Sequence, residues 1–435
     1  MSDMQETPDF DKFIYKSIAY IRINGEKMVI SRTISKKEYN WLSIWNISIV
    51  AIYFILYFLD GVTRYKHLTA GLMYVTALVY VIRYRKKLTA IFKNNLTISL
   101  VFFTMVAVYS VFISVDIHYS LSKAANSIFE KLVLVSVVIP VILHREKKEN
   151  VAKLFIFSLI LAIIPVSVID IRQYINEYHN GILPFTEYEH RYRSDAFIFM
   201  SLALLNLWLM PGKINKIIFL VLLTITGVMI TGTLQRGTWL SVLVPSLIWV
   251  VIKKEWKLSL ITIAMLICFG FFVLNQSIFP VQNLFFKLHQ TDSSERYGNG
   301  TQGSAMDLIM ENPIKGYGYG DDIFYRIYNS KVNSHPDWYF KKSIGPHNIT
   351  LAMWYAAGIA GLFSLWYLLI SLMQTALKGY LTTDNIIIKQ AWLSILLITL
   401  GDMVIRGAFE TVRIENLSLL IGTALALKFT SQEVG

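Results

Sequence analysis

SIFPVQNLFFKLHQTDSSERYGNGTQGSAMDLIMENPIKGYGYGDDIFYRIYNSKVNSHPDWYFKKSIGP, residues 277–346, is the one long polar stretch in a chain of closely spaced hydrophobic runs. It holds Arg296 and the glycine cluster Lys315-Gly316-Tyr317-Gly318-Tyr319-Gly320-Asp321-Asp322, and it delivers the chain into His347-Asn348. Backbone inside a bilayer must satisfy its polar groups internally, so irregular chain is confined to loops and cavities. A membrane protein with one large loop is therefore expected to carry its chemistry there.

On either side of the loop the chain reads as spans. A helix that crosses the hydrocarbon needs about 20 mostly apolar residues. Such runs lie near 41–59, 68–83, 96–116, 127–144, 151–171, 194–211, 214–232, 237–252, 257–276, 354–377, 386–405 and 413–429. They predict an all-α polytopic membrane protein of about twelve transmembrane helices. Its parts are an N-terminal segment (1–40), nine helices (41–276), the large loop (277–346) and three closing helices (347–430).

Composition agrees. Of the 435 residues 54% are hydrophobic and 16% charged, against about 25% charged in soluble chains. The net charge of +12 comes from basic residues scattered between apolar runs, which fits loop anchors rather than a nucleic-acid surface. The single cysteine, Cys268, leaves no intrachain disulfide and no thiolate cluster. No cleavable leader is expected, because the first 40 residues are mixed and charged and Trp41 to Leu59 is long enough to stay as an anchor.

Lys and Arg set the orientation. One set of loops carries Arg83, Arg85, Lys86, Lys87 and Lys93, then Arg145, Lys147 and Lys148, then Lys213 and Lys216, then Lys253, Lys254 and Lys257. These belong inside, with the basic N-terminal segment. The opposite loops are poorer, and their cations sit at span ends: Arg172, Arg191, Arg193, Arg236, Arg406 and Arg413. Twelve spans then leave both termini inside and the large loop outside.

Cations that persist on the outer face against this bias need a reason. Arg236, in Thr233-Leu234-Gln235-Arg236-Gly237-Thr238-Trp239, is either an interfacial arginine that snorkels to headgroups or a phosphate ligand, because guanidinium grips phosphate in a planar fork. Arg296, Arg191 and Arg193 carry the same two readings. His347 follows Pro346, a residue suited to the first turn of a helix. A helix start disfavours imidazolium and would keep the ring neutral and able to accept a proton; the plainer alternative is a histidine that bonds a backbone carbonyl. Asp402 lies within an apolar run, where a carboxylate needs a partner, and an outer arginine is the expected one. Gly316, Gly318 and Gly320 lack the strand and the Lys-Ser/Thr of a nucleotide loop and are read as permitting a tight turn. Asp321 and Asp322 have no third ligand, so no metal is assigned to them.

In order along the chain these residues resemble the membrane-embedded O-antigen ligase family, which shares a module with O-antigen polymerases. The resemblance rests on Arg236 in Thr-x-x-Arg-Gly-Thr, and on Arg296 followed by a short helix and Pro313-x-x-Gly316-x-Gly318. It continues with His347-Asn348 leading into Gly358-x-x-Gly361-Leu362. It covers the second half of the chain in motifs and the whole in its span plan. It implies a GT-C-like membrane glycosyltransferase at the periplasmic face of the bacterial inner membrane. The reaction would be inverting and metal-independent, with no cofactor. The donor would be polysaccharide on undecaprenyl pyrophosphate, and the acceptor a sugar hydroxyl of lipid A–core. By position Arg236 and Arg296 match the family's pyrophosphate-holding arginines, with Arg191 and Arg193 as further candidates. His347 matches the base; Asp402 and Asn348 support. The N-terminal segment of about 40 residues is longer than the family leads one to expect. The polymerase, with a lipid-linked repeat as acceptor, is the alternative. A lipid-linked sugar transporter fits less well, for the chain shows no inverted repeat.

Overall fold

Short polar residues at the leading edges of the apolar runs start several of the helices. Asn94, Asp116 and Asn385 each turn a side-chain oxygen onto a free backbone N–H of the first turn, at 3.0–3.1 Å for the shortest of these bonds, the usual way an N-cap satisfies an orphan donor. The computed structural model describes residues 16–23, 26–33, 36–260 and 294–429. In chain order its helices are α1 (Lys36–Tyr57), α2 (Thr63–Leu88), α3 (Asn95–Phe112), α4 (Ile117–Leu143) and α5 (Lys148–His179). Next come α6 (Ser194–Trp208), α7 (Lys213–Gly232), α8 (Arg236–Lys253) and, in the large loop, α9 (Thr301–Glu311) and α10 (Asp321–Lys331). The chain closes with α11 (Ile349–Thr382), α12 (Ile386–Ala408) and α13 (Leu417–Lys428).

Among the described residues seven helices are long and apolar enough to cross a membrane: α3, α4, α5, α7, α8, α11 and α12. The protein is thus a polytopic helical membrane protein. The other expected runs take different forms. The run near 194–211 is α6, whose fifteen residues are all buried. At about 1.5 Å per residue it spans roughly 22 Å, short of the roughly 30 Å of hydrocarbon. The run near 413–429 becomes α13, twelve residues of which all but Lys428 are buried. Such helices, apolar all round, form the middle of the bundle rather than its lipid face. The run near 257–276 lies almost wholly outside the described residues.

The helical bundle is preceded by one short hairpin. Ahead of the bundle, β1 (Lys16–Ile23) and β2 (Glu26–Thr33) pair antiparallel, with Lys16 opposite Thr33 and Ile23 opposite Glu26. The sequence signal is Asn24-Gly25 between two runs rich in β-branched and aromatic residues, a strong hairpin pattern.

The described part of the large loop, from Ser294 onward, has a small core of its own. Ala305, Leu308 and Ile309 of α9 pack with Ile323, Phe324 and Tyr328 of α10, with Trp338, and with Leu351 and Tyr355 of α11. Trp338 is fully buried and gives its indole N–H to Asp307 at 2.8 Å. This core is seated on the bundle. Tyr319 meets Ser127 at 3.0 Å, Trp354 donates to the Pro313 carbonyl at 3.0 Å, and Arg326 pairs with Asp116 at 2.8 Å.

The three loop glycines do more than make a turn. Helix α11 breaks at Ala357 and Gly358, which leave helical geometry. Gly316 and Gly318, both at positive φ, lie against that break, where the Tyr317 and Gly318 N–H groups donate to the Tyr355 and Ala356 carbonyls at 2.9 Å each. A Cβ on Gly316 would stand 2.4 Å from the Gly358 nitrogen, and one on Gly358 would stand 1.9 Å from the Ile314 carbonyl oxygen. Glycine is required here because two backbones touch.

Candidate functional site

Three separate stretches carry the predicted residues to one place, the turn that follows α12. In the first, Thr233 to Gln235 form a tight elbow between α7 and α8. Gln235 is held there by Ser194 at 2.8 Å and Thr238 at 3.1 Å. Leu234 sits at φ +50°, and Arg236, exposed, is the first residue of α8. The next residue, Gly237, is pressed against Phe409 and Glu410. In the second stretch, Arg296 donates to the Phe409 carbonyl at 2.9 Å. In the third, Asn348 and Gln302 both donate to the Ala408 carbonyl, at 3.3 and 2.9 Å, and Gln302 also reaches the His347 carbonyl at 3.3 Å.

His347 lies beside this turn, joined to it through Gln302. Pro346 is not in the first turn, as the sequence reading has it: α11 starts at Ile349 and Asn348 is its cap, accepting from the Thr350 and Leu351 N–H groups at 2.9 and 3.1 Å. His347 precedes the cap at φ +45°. That backbone is sparsely allowed outside glycine and costs on the order of 1 kcal/mol, a cost typical of functional sites. The half-buried ring is held below the ordinary histidine value, first by burial and then by the fields of Arg296 and Arg191, although a hydrogen bond to the Ile344 carbonyl works against the shift.

Asp402 has its expected partner, and it is Arg406. Helix α12 widens to π geometry over Thr399–Ile405, and Arg406 Nη1 reaches Asp402 at 3.0 Å and Asp195 at 2.8 Å. Its Nε meets Glu410 at 3.2 Å. Asn416 bridges the first two carboxylates at 3.1 and 3.3 Å and accepts from Tyr57 at 3.0 Å. The guanidinium is buried and taken up by carboxylates. Removing one partner of such a set costs roughly 3–5 kcal/mol, so this network acts as a frame.

The two arginines of the 172–193 segment separate. Arg191 is exposed, lies near the Tyr192 ring and contributes to the field at His347. The sequence reading gives Arg193 the same role, but the structure commits it elsewhere: it pairs with buried Asp170 at 2.7 Å, Asp60 at 3.0 Å and Gln173 at 2.7 Å. With it sits His190, which no sequence motif singles out, between Asp170 at 2.8 Å and Glu177 at 2.9 Å. The signal available was Asp170 itself, a carboxylate within the apolar run 151–171 that must have a partner. Asp321 and Asp322 lie exposed in the first turn of α10, where negative charge suits the helix dipole. Among the described residues no group of three or more His, Cys, Asp or Glu side chains is placed to hold a metal ion.

Fold and contacts together define a polytopic helical membrane protein in which Arg296, Gln302, Asn348 and the Arg236–Gly237 start of α8 converge on the turn at Ala408–Glu410. A family profile described as O-antigen ligase matches residues 218–366, a stretch that contains Arg236, Arg296 and His347. The chain is also 41% identical, over 403 residues, to a protein named O-antigen ligase from Salmonella typhimurium, with 92% of this chain and 99% of the relative covered. The chain belongs to the O-antigen ligase family.

Proposed function

We propose that this protein transfers O-antigen polysaccharide from undecaprenyl pyrophosphate to a sugar hydroxyl of lipid A–core, at the periplasmic face of the inner membrane. The observation that carries the chemistry is His347: a half-buried imidazole at the start of α11, at φ +45°, its pKa lowered by burial and by the fields of Arg296 and Arg191. A ring so placed stays neutral and can accept a proton. In the reaction the acceptor hydroxyl oxygen attacks the anomeric carbon from the face opposite the leaving group. Its proton goes to a ring nitrogen of His347, and the sugar–pyrophosphate bond breaks with inversion. The electron pair leaves on undecaprenyl pyrophosphate, whose growing negative charge Arg236 and Arg296 stabilise more in the transition state than before it. Arg191 adds field at the rim, and Asp402 and Asn348 support through Arg406 and the α11 cap. No metal or cofactor is assigned a step.

The same reading takes α1, α2, the run near 257–276, and the longer apolar runs 194–211 and 413–429 that contain the short α6 and α13 as spans beside the seven, giving twelve, with the large loop in the periplasm. A reporter active only there should be active when fused after residue 300 and silent after residue 88. The reverse would overturn the orientation and the site with it. For the reaction, lipopolysaccharide from a deletion strain should run as core without polymer while lipid-linked polymer accumulates. A single repeat on the core would instead identify a polymerase.

A further inference from the structure

The turn that gathers the site carries a carboxylate to which neither the sequence nor the reaction yet gives a task. Glu410 is pinned at one end: its N–H donates to the Arg406 carbonyl at 2.9 Å and its Oε2 meets Arg406 Nε at 3.2 Å. Its other oxygen faces α8. A Cβ built on Gly237 would stand 2.7 Å from Glu410 Oε1, 3.3 Å from its Cδ and 3.3 Å from the Phe409 Cβ. The carboxylate therefore fills the space that any side chain at position 237 would need, which gives the glycine beside Arg236 a physical reason. Helix α8 has no acidic residue in its own first turn, so Glu410 supplies from another element the negative charge that a helix start favours.

Two further facts separate this contact from simple neutralisation of Arg406. That guanidinium already has two carboxylates on Nη1, Asp195 and Asp402 at 2.8 and 3.0 Å, and Glu410 meets its Nε through Oε2 alone, which leaves Oε1 to face α8. And the residues next to Glu410 hold the rest of the site, Phe409 through Arg296 and Ala408 through Gln302 and Asn348. Burial pushes the Glu410 carboxyl up while Arg406 and Arg296 pull it down, so the group is squeezed between the apolar core and the cations of the site.

We propose that Glu410 is a positioning residue for ligation: clamped by Arg406, it locks the Gly237 end of α8 and so sets Arg236 in register with Arg296 and His347. The proposal rests on the ligase reading, and its test is a double-mutant cycle on the full-length purified protein. Transfer from lipid-linked polymer to core acceptor is measured for wild type, Glu410→Gln, Arg236→Lys and the double variant, together with the melting temperature of each. Glutamine keeps a neutral acceptor for Arg406, so Glu410→Gln should melt close to wild type while kcat/KM falls about tenfold, the scale of a favourable charge at a partly buried helix start. Because Glu410 acts through Arg236, adding Glu410→Gln to Arg236→Lys should cost less than about twofold more. Gly237→Ala, which leaves the Arg406–Glu410 pair its own groups, should reproduce the single loss and carries the test if Glu410→Gln proves unstable. Full activity of either single variant, or losses that multiply in the double, would overturn the proposal alone. A wild-type protein that moves no polymer onto core would overturn the ligase reading and the proposal with it.

Discussion

Two histidines sit near the ends of this bundle, and their surroundings are opposite. His190 is caged: both ring nitrogens meet carboxylates, Asp170 at 2.8 Å and Glu177 at 2.9 Å, and the Tyr174 ring stacks on it at 3.6 Å. Burial alone would depress its pKa, but the two carboxylates outweigh burial and raise it. His347 has burial acting in the same direction with arginines instead of carboxylates, and its pKa falls. The residue type is the same, but one has both nitrogens on carboxylates and a raised pKa, and the other faces arginines and has a lowered one. What faces the ring decides whether it is a bolt or a base.

The largest expected effect would break the comparison outright. His347→Gln keeps a hydrogen-bonding side chain that cannot take the proton, so single-turnover transfer should fall about 10²- to 10⁴-fold with donor binding unchanged. Near-wild-type turnover would reduce His347 to a positioning group. Next, Arg236→Lys replaces the planar fork by a point charge. A loss on the order of 10²-fold, the scale of one lost transition-state donor, should appear in kcat with the protein still in the membrane; full activity would leave only snorkelling as its role.

His190→Gln tests the other side. Transfer per folded molecule should be unchanged, while unfolding stability in detergent falls by about 2 kcal/mol, the scale of a charge-assisted hydrogen bond. The sign with pH follows from the raised value. The His190 contribution is complete below its ordinary value of 6.5 and is lost as pH rises through the raised one, so wild type and variant should converge on the alkaline side. The smallest effect concerns the pH profile. His347 is neutral above its depressed value, so transfer should hold steady through pH 6.5 and fall only as pH drops below it. Arg191→Gln removes one of the fields that depress it and should move that acid limb to higher pH. An unmoved limb would mean that Arg191 does not act on the ring.

The sequence was informative wherever a residue violated its surroundings. Asp402 in an apolar run demanded a cation and has Arg406; of the four arginines assigned beside His347, two, Arg296 and Arg191, act on its ring. What one sequence could not show is contact between remote segments. Nothing local distinguishes Arg193, tied to Asp60 and Asp170, from Arg191 two residues earlier. The glycines near 316 and 358 share one purpose, yet each alone reads only as a turn or a motif. Glu410 has no motif at all, since its meaning depends on Gly237, far away in the chain. Boundaries were less legible for a different reason: α6 and α13 are shorter than the apolar runs that contain them, because burial inside the bundle imposes apolarity as firmly as lipid does.

The break in α11 also limits how the site can be loaded. The carbonyls of Tyr355 and Ala356 are met from the loop, by Tyr317 and Gly318 at 2.9 Å each. Lifting the loop would strand these groups at about 1–3 kcal/mol apiece and expose the apolar core around Trp338 as well. The roof is therefore riveted to the wall. A substrate tethered to a long lipid has no reason to pass through a roof in any case. On the proposed reading it would move in the plane of the membrane, with its tail in the lipid. Traffic through such an enzyme would be two-dimensional, its rate set by lateral encounter in the bilayer rather than by the opening of a gate.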